Sequence, residues 1–324
     1  MTFLKTFFIS TLTLTSILYG FIYSVDPYNK FGINLFKVKT KAVDFARENK
    51  FNQVEHSKIP YELFLMGSSS AHRYWTKDLK SETGYVSYNY STQSATPEDY
   101  LAMTRHILQK GYPLKMIILS IDFEALSEDM PTDDMFYSSP LKNYLSEEKN
   151  KISSVFNNSY FSLKALSDSF NVLFVNYFGK PQHTYLEHGD HIVEPLPKSL
   201  KVSQFHHFKK ISLKRLEYLR EIQRLSKAHH FRIIAFTSPL SFEHILRIEN
   251  DPELKKNHQE FKQALASIFE EVYDFQNLDI KPYDSLDYFR DSNHPRHEFS
   301  HLILKRIFHP RRDDTSEFGR KLSF

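Results

Sequence analysis

"YELFLMGSSSAHRYW", residues 61–75, is the stretch on which the fold turns. An apolar run ends at Gly67, three serines come next, and then His72 and Arg73. The run at 61–66 has the length and apolarity of a strand buried on both faces. The chain has only eight glycines in 324 residues, and one of them stands between that strand and the serines. Glycine there permits a backbone turn that other residues resist. Such a turn can raise a hydroxyl and aim backbone N–H groups at a ligand. The plainer reading is a Gly-Ser turn that only links the strand to the next element.

Working outward, "LKMIILSID" (114–122) and "FRIIAFTSP" (231–239) read as two more buried strands, and "VYDFQN" (272–277) as a short fourth. Between them lie amphipathic stretches with helix start and stop signals. These are "PEDYLAMTRHILQKGY" (97–112), "LKRLEYLREIQRLSKAHH" (213–230), "ELKKNHQEFKQALASIFEE" (253–271) and "RHEFSHLILKRIF" (296–308). Strands alternating with helices predict an α/β fold, a parallel sheet covered on both faces in three layers. Ligands of such sheets bind beyond the carboxyl ends of the strands, where Ser68, Ser69 and Ser70 would sit. Residues 124–205 break the alternation and read as a large insertion. Within it "NNSYFSLKALSDSFNVLF" is a helix candidate. One α/β body is expected over 27–308, with 309–324 a loose polar tail.

Hydrophobic residues make up 41% and charged residues 25%, as in a folded globular chain. With 29 Phe and 19 Tyr, aromatics supply much of the buried area. A net charge of +3 gives no reason to expect nucleic acid as a partner. The absence of Cys excludes disulfides, thiolate zinc sites and a thiol nucleophile. No P-loop or dinucleotide fingerprint is present, and no cofactor is expected.

The first residues, "MTFLKTFFISTLTLTSILYGFIYSV", carry no charge from Thr6 to Val25, enough to span a bilayer as a helix. No small-x-small cleavage site comes after it, so residues 1–26 read as an uncleaved anchor rather than a removed signal peptide. The plainer alternative is a buried core helix. Lys30, Lys37, Lys39 and Lys41 after the segment outnumber Lys5 before it, and taken alone this would put the body in the cytoplasm.

A serine needs a base, and the base needs a partner that fixes its tautomer. "YFRDSNHPRHEFSH" (288–301) offers Asp291 and His294 three residues apart, just before the last helix. Taken alone the pair also fits helix capping, with Pro295 starting the helix. "HTYLEHGDH" holds His183, His188, Asp190 and His191, metal-capable types whose spacing fits no zinc pattern, so no metal is expected. His206–His207 and His229–His230 read as surface pairs. Tyr74 and Trp75 could wall a sugar site, with core or rim packing the default.

The Gly-x-Ser after the first strand, joined to Asp-x-x-His before the last helix, resembles the SGNH (GDSL-like) hydrolase superfamily. The membrane-anchored branch is the nearer likeness, the one that includes the D-alanyl transfer protein of teichoic-acid modification and the alginate O-acetylation proteins. "FLMGSSSAHR" is similar to its first block and "RDSNH" to its last. "DPYNKFG" after the anchor and "IILSIDFEAL" are similar to that branch as well. The likeness covers about residues 10–308. It implies a flavodoxin-like SGNH fold with Ser69 as nucleophile, His294 as base and Asp291 as its orienter. Ser68 and Ser70 stand as alternative nucleophiles. The implied oxyanion donors are the backbone N–H groups of Ser69 and Ser91. Ser91, after Asn89 in "YNYSTQSAT", replaces the family's usual Gly. Asp122 in "LSIDFEA" replaces the usual oxyanion Asn, and an ionised Asp would repel the developing charge. Asn89, Asp122, His72 and Arg73 are candidate substrate contacts, with a solvated turn the plainer reading for the last two.

The resemblance implies an esterase or O-acyltransferase acting on acyl groups, acetyl above all, of a cell-surface polysaccharide or glycan. Its body would lie on the outer face of the cytoplasmic membrane, against the lysine count. A membrane-bound acyltransferase is an expected partner. The alternative is a non-catalytic accessory with degraded oxyanion donors that binds a glycan or such an acyltransferase. A lipid esterase at the membrane surface is the third reading.

Overall fold

The computed structural model describes residues 2–33, 35–38, 41–42, 46–145, 162–179, 184–186, 188–192, 208, 210–309 and 318–323. These divide into two compact units. The first draws on Met1–Lys58, Lys149–Glu187 and Ile192–Glu194, and the second on Ile59–Glu148, His188–His191 and Pro195–Phe324. The N-terminal residues read as an anchor fall in the first unit.

In the second unit six strands form one sheet. They are β1 (Leu63–Met66), β2 (Ser87–Asn89), β3 (Met116–Ile121), β4 (Arg232–Thr237), β5 (Val272–Asp274) and β6 (Arg320–Lys321), in the order β2-β1-β3-β4-β5-β6. The first five are parallel, with Leu63 opposite Met116 and Met116 opposite Arg232; β6 is antiparallel to β5. Every residue of β1 and β3 is buried, and only Arg232 of β4 is exposed. A strand covered on both faces reads as a continuous apolar run, and this is why those three were visible in the sequence. The order 2-1-3-4-5 is that of flavodoxin-like sheets, as expected. β6 comes from the segment read as a loose tail; Gly319 N–H donates to Asp274 O at 2.7 Å and starts the pairing.

The helices follow from the connections. Right-handed crossovers put the helix of the β1–β2 connection on one face, and those of the β2–β3, β3–β4 and β4–β5 connections on the other, because the order reverses after β2. On the first face α3 (Thr76–Thr83) packs with α10 (His297–Phe308). On the other, α4 (Pro97–Lys110) packs with α7 (Leu213–His229), and α7 with α9 (Pro252–Ile268). The short α5 (Asp134–Ser138) lies between α4 and α7 in the chain, and α8 (Phe242–Asn250) packs on α9. α4 starts with Pro97 at its first position and stops at Gly111 with φ +71°. Arg215 of α7 pairs with Glu98 of α4 at 3.3 Å, both side chains buried. Arg215 also donates to the carbonyls of Ser127 and Met130.

In the first unit α1 (Thr2–Val25) is long and apolar enough to cross a membrane, and it exposes most of its length. Its last turn buries Ile22 and Val25 against Tyr28, Ala165 and Val172. Ala165 and Val172 lie on α6 (Leu163–Tyr177), inside the helix candidate of the insertion. "DPYNKFG" is a turn closed by Asp26, whose carboxylate accepts from the N–H groups of Lys30, Phe31 and Ile33. After it comes α2 (Ala46–His56), where Glu48 pairs with Lys30 of the turn at 3.3 Å.

Candidate active site

The sheet order reverses between β1 and β3, and a doubly wound sheet binds its ligands outside that switch point. Ser68–Ser70 leave β1 there and Asp122 leaves β3. Gly67 is required by close approach rather than by its φ. A Cβ on it would lie 2.5 Å from Ala71 Cβ and 3.0 Å from Ser120 Cβ. The chain then enters a 3₁₀ turn, Ser69–Arg73, capped by Ser68, whose Oγ accepts the Ser70 N–H at 3.2 Å.

Ser69 Oγ lies 2.8 Å from His294 Nε2. His294 Nδ1 lies 2.8 and 2.9 Å from the two oxygens of Asp291. With Nδ1–H donating to the carboxylate, Nε2 is left as the acceptor for the serine proton. Asp291 also accepts from the N–H groups of Asn293 and His294 at 3.2 and 3.0 Å. Burial pushes the Asp291 carboxyl up, but the His294 hydrogen bond and charge and the two backbone donors together hold it below its ordinary value. The pair does not cap a helix. It sits on a loop pinned by a bridge between Phe289 and Pro295, and α10 begins only at His297.

The neighbouring serines are engaged elsewhere. Ser70 Oγ donates to Asp122 Oδ1 at 2.9 Å and lies 3.2 Å from Ser238 Oγ, itself 2.7 Å from Ser120 Oγ. Among the described residues nothing accepts the Ser69 N–H, so that donor is available to an oxyanion.

Four expectations are corrected. Ser91 is buried and its N–H donates to Asn89 Oδ1 at 3.0 Å, so it is spent inside the fold rather than aimed at an oxyanion. Asn89 is no substrate contact. It is fully buried, and its Nδ2 donates to Ala71 O at 3.1 Å and Tyr74 O at 2.9 Å, holding the exit of the Ser69–Arg73 turn. His72 is neither solvated nor facing a substrate; it is buried, its ring edge-on to His191 at 4.9 Å. Arg73 is half-buried rather than solvated. Burial, then the charges of Arg290 and Arg296, bring its guanidinium down to about 10 against the pull of Glu298. Asp122 keeps a half-buried carboxylate tied to Ser70, the residue after Ser69.

Tyr74 is core, packed on Phe236, and Trp75 stacks on His297 at 3.7 Å. Of the His-rich stretch, His183 lies outside the described residues, as do His206 and His207. His188 Nδ1 meets Tyr61 Oη at 3.2 Å. Asp190 accepts from Thr76 N and Oγ1 at 2.9 and 2.7 Å, capping α3 from more than a hundred residues away. No group of three metal-capable side chains comes together among the described residues. His229 and His230 are exposed at the end of α7.

Beneath the Ser69–Arg73 turn lies a buried polar layer that sequence reasoning missed. Gln276 Nε2 donates to Ser238 O, and Gln276 Oε1 meets His258 Nε2 at 2.8 Å. Polar residues at or just past the ends of apolar strands were the available signal: Ser120 next to last in β3, Thr237 and Ser238 at the end of β4, Gln276 after β5.

No family model matches the chain, and no curated protein matches it. Among solved structures it is similar to a protein of Bacteroides fragilis described as a "putative acylhydrolase". The identity is 11% and the TM-score 0.34, over 77% of this chain and 85% of that one. At that TM-score the likeness adds nothing to what strand order and site geometry show.

Proposed function

We propose that the chain is a serine-dependent acyl-ester hydrolase or O-acyltransferase of SGNH type. The observation that carries this reading is the Ser69–His294–Asp291 chain of contacts, 2.8 Å at each link, at the switch point of the sheet. His294 Nε2 takes the Ser69 proton as Oγ attacks the acyl carbonyl. Asp291 holds the imidazole and stabilises the imidazolium. The Ser69 N–H faces the oxyanion. On collapse Nε2–H protonates the leaving alkoxide. Water then regenerates the serine, or a sugar hydroxyl takes the acyl group. The substrate we favour is an acylated, above all acetylated, cell-surface glycan reached by a body anchored through α1 outside the cytoplasmic membrane. What supports that substrate is the motif resemblance together with the apolar helix. A membrane-bound acyltransferase is the partner this reading suggests.

One observation favours a second reading. With the Ser91 N–H spent on Asn89 and a carboxylate at Asp122, of the two expected backbone donors only the Ser69 N–H is left among the described residues, and losing a donor costs on the order of 10²–10³ in rate. A non-catalytic accessory would tolerate that.

Fluorophosphonate labelling of the full chain in detergent separates the two. The active reading expects labelling that disappears in folded Ser69→Ala and His294→Ala proteins. A well-folded parent that stays unlabelled would pass the weight to the accessory. A C-terminal reporter active only outside the cytoplasm should be on; a silent, well-expressed fusion would rule out the topology.

A further inference from the structure

α6 carries two apolar faces; among the described residues one is packed and the other stays largely exposed, tied to the fold through Phe170 against Phe21 and the Tyr177 hydroxyl donating to Phe36 O at 2.7 Å. Ala165, Ser169 and Val172 are buried, packed with Leu166 and Leu173 against the end of α1. On another face Leu163, Phe170, Phe174 and Tyr177 recur at i, i+7, i+11 and i+14, which makes one stripe along a helix. They are 85%, 58%, 62% and 59% exposed, and Phe178 beside them is 82% exposed. Water is a costly neighbour for five large apolar side chains in a row.

The place of α6 along α1 says what covers that stripe. α1 is exposed up to Phe21, apart from partly covered positions, and at ~1.5 Å per residue the stretch before Ile22 is roughly 30 Å long, the thickness of a hydrocarbon core. Burial by α6 begins at Ile22, where that thickness ends. The exposed surface of α1 runs directly onto α6, because the Phe21 and Phe170 rings are 4.8 Å apart. Tyr19 and Tyr23, each 45% exposed, mark the same level, where aromatic residues anchor in headgroups. α6 itself has 15 residues, roughly 22 Å, too short to span. It also keeps Lys164 paired with Asp168 at 3.4 Å on its polar edge.

We propose that α6 is an interfacial helix, lying in the plane of the bilayer surface with Leu163, Phe170, Phe174, Tyr177 and Phe178 in the headgroup–acyl boundary. The inference rests on α1 spanning the membrane. α1 and α6 then form one membrane-binding device, a span with a lateral foot that fixes the depth and tilt of the first unit.

The chain has no cysteine, so single cysteines report cleanly. The full chain carrying Phe174→Cys, Phe178→Cys, Phe8→Cys or Lys256→Cys, each with an environment-sensitive dye, is reconstituted into phosphatidylcholine–phosphatidylglycerol vesicles. Lys256 is a water-exposed control on α9 and Phe8 reports the span. Dyes at 174 and 178 should shift blue and lose emission to lipids carrying a nitroxide near the carbonyls, with 256 unaffected. Dyes at 174 and 178 that stay in water while the dye at 8 is quenched by lipid would overturn the foot and leave the span. Shielding at 174 and 178 without lipid quenching would assign the stripe to protein and also overturn it. A dye at 8 that lipid cannot quench would remove the anchor reading itself.

Discussion

Gly67 shows how one missing side chain builds the site. The turn that presents Ser69 can pass over β3 because Ala71 and Ser120 approach the Gly67 backbone more closely than any Cβ allows. Gly67→Ala should therefore cost about 1–3 kcal/mol of overpacking and displace the Ser69 hydroxyl from His294. Adding Ala71→Gly removes the 2.5 Å contact and should recover part of both the melting temperature and the labelling rate. A Gly67→Ala protein as stable and as readily labelled as the parent would show that the backbone yields cheaply. At this scale Ser69, Asp291 and His294 were legible because each stands in a short motif beside a recognisable element. Ser91 misled because its N–H is consumed by a side chain two residues away, and a backbone donor leaves no mark in the sequence. The clamp by Asn89 was hidden for the opposite reason. Its acceptors are the carbonyls of Ala71 and Tyr74, distant in sequence and silent in composition.

Elements buried on both faces announced themselves, and elements held by distant partners did not. β1, β3 and β4 are apolar runs. β2 is three residues with polar ends, and its Asn89 N–H donates to His188 O at 2.9 Å, a contact no local pattern foretells. α3 lacks a capping side chain of its own at Trp75 and borrows Asp190. α9 illustrates what such long-range contacts do to a titratable group. His258 on its buried face is enclosed by Phe123 and Phe261, with Lys262, Asp274 and Glu249 as the charges around it. Burial, assisted by Lys262, lowers its imidazole to about 4 against the hydrogen bond to Gln276. The sign follows from where the proton binds. Between roughly pH 6.5 and about 4 the unfolded chain takes up a proton that folded His258 refuses, so stability falls as pH falls through that window. One proton corresponds to about 1.4 kcal/mol per pH unit. Denaturant titrations of the parent and of His258→Gln, which keeps a partner for Gln276 but cannot titrate, should differ in slope by up to that amount, the parent being steeper. Equal slopes would mean that His258 titrates normally in the fold.

At the scale of the whole molecule the sheet topology was legible in outline, because alternating strand and helix patterns leave few ways to wind a parallel sheet. The division of the chain was not. Residues 27–58 and part of the insertion look polar or mixed in sequence, and nothing in them announces that Tyr28, Val38, Ala165 and Val172 pack against the end of α1. Their cohesion depends on Ile22 and Val25, which count as membrane residues by hydropathy and as core residues by packing. The second unit, by contrast, owns a complete core in its sheet and paired helix layers. A chain beginning at Asp26 should accordingly divide in behaviour. Its Ser69 should still react with fluorophosphonate within about twofold of the parent in detergent, because every contact described around Ser69, His294 and Asp291 lies in the second unit. Its first unit should lose definition, since Tyr28, Ala165 and Val172 would face water where α1 had been. A dye that brightens on exposed apolar clusters should bind the shortened chain and not the detergent-held parent, and proteolysis should begin within residues 26–58 or 162–186. If labelling disappeared along with α1, the two units would have to fold as one, and the Ser69–His294 geometry would depend on the first. If the first unit stayed protected, Ile22 and Val25 would be dispensable to it, and α1 would be an anchor only.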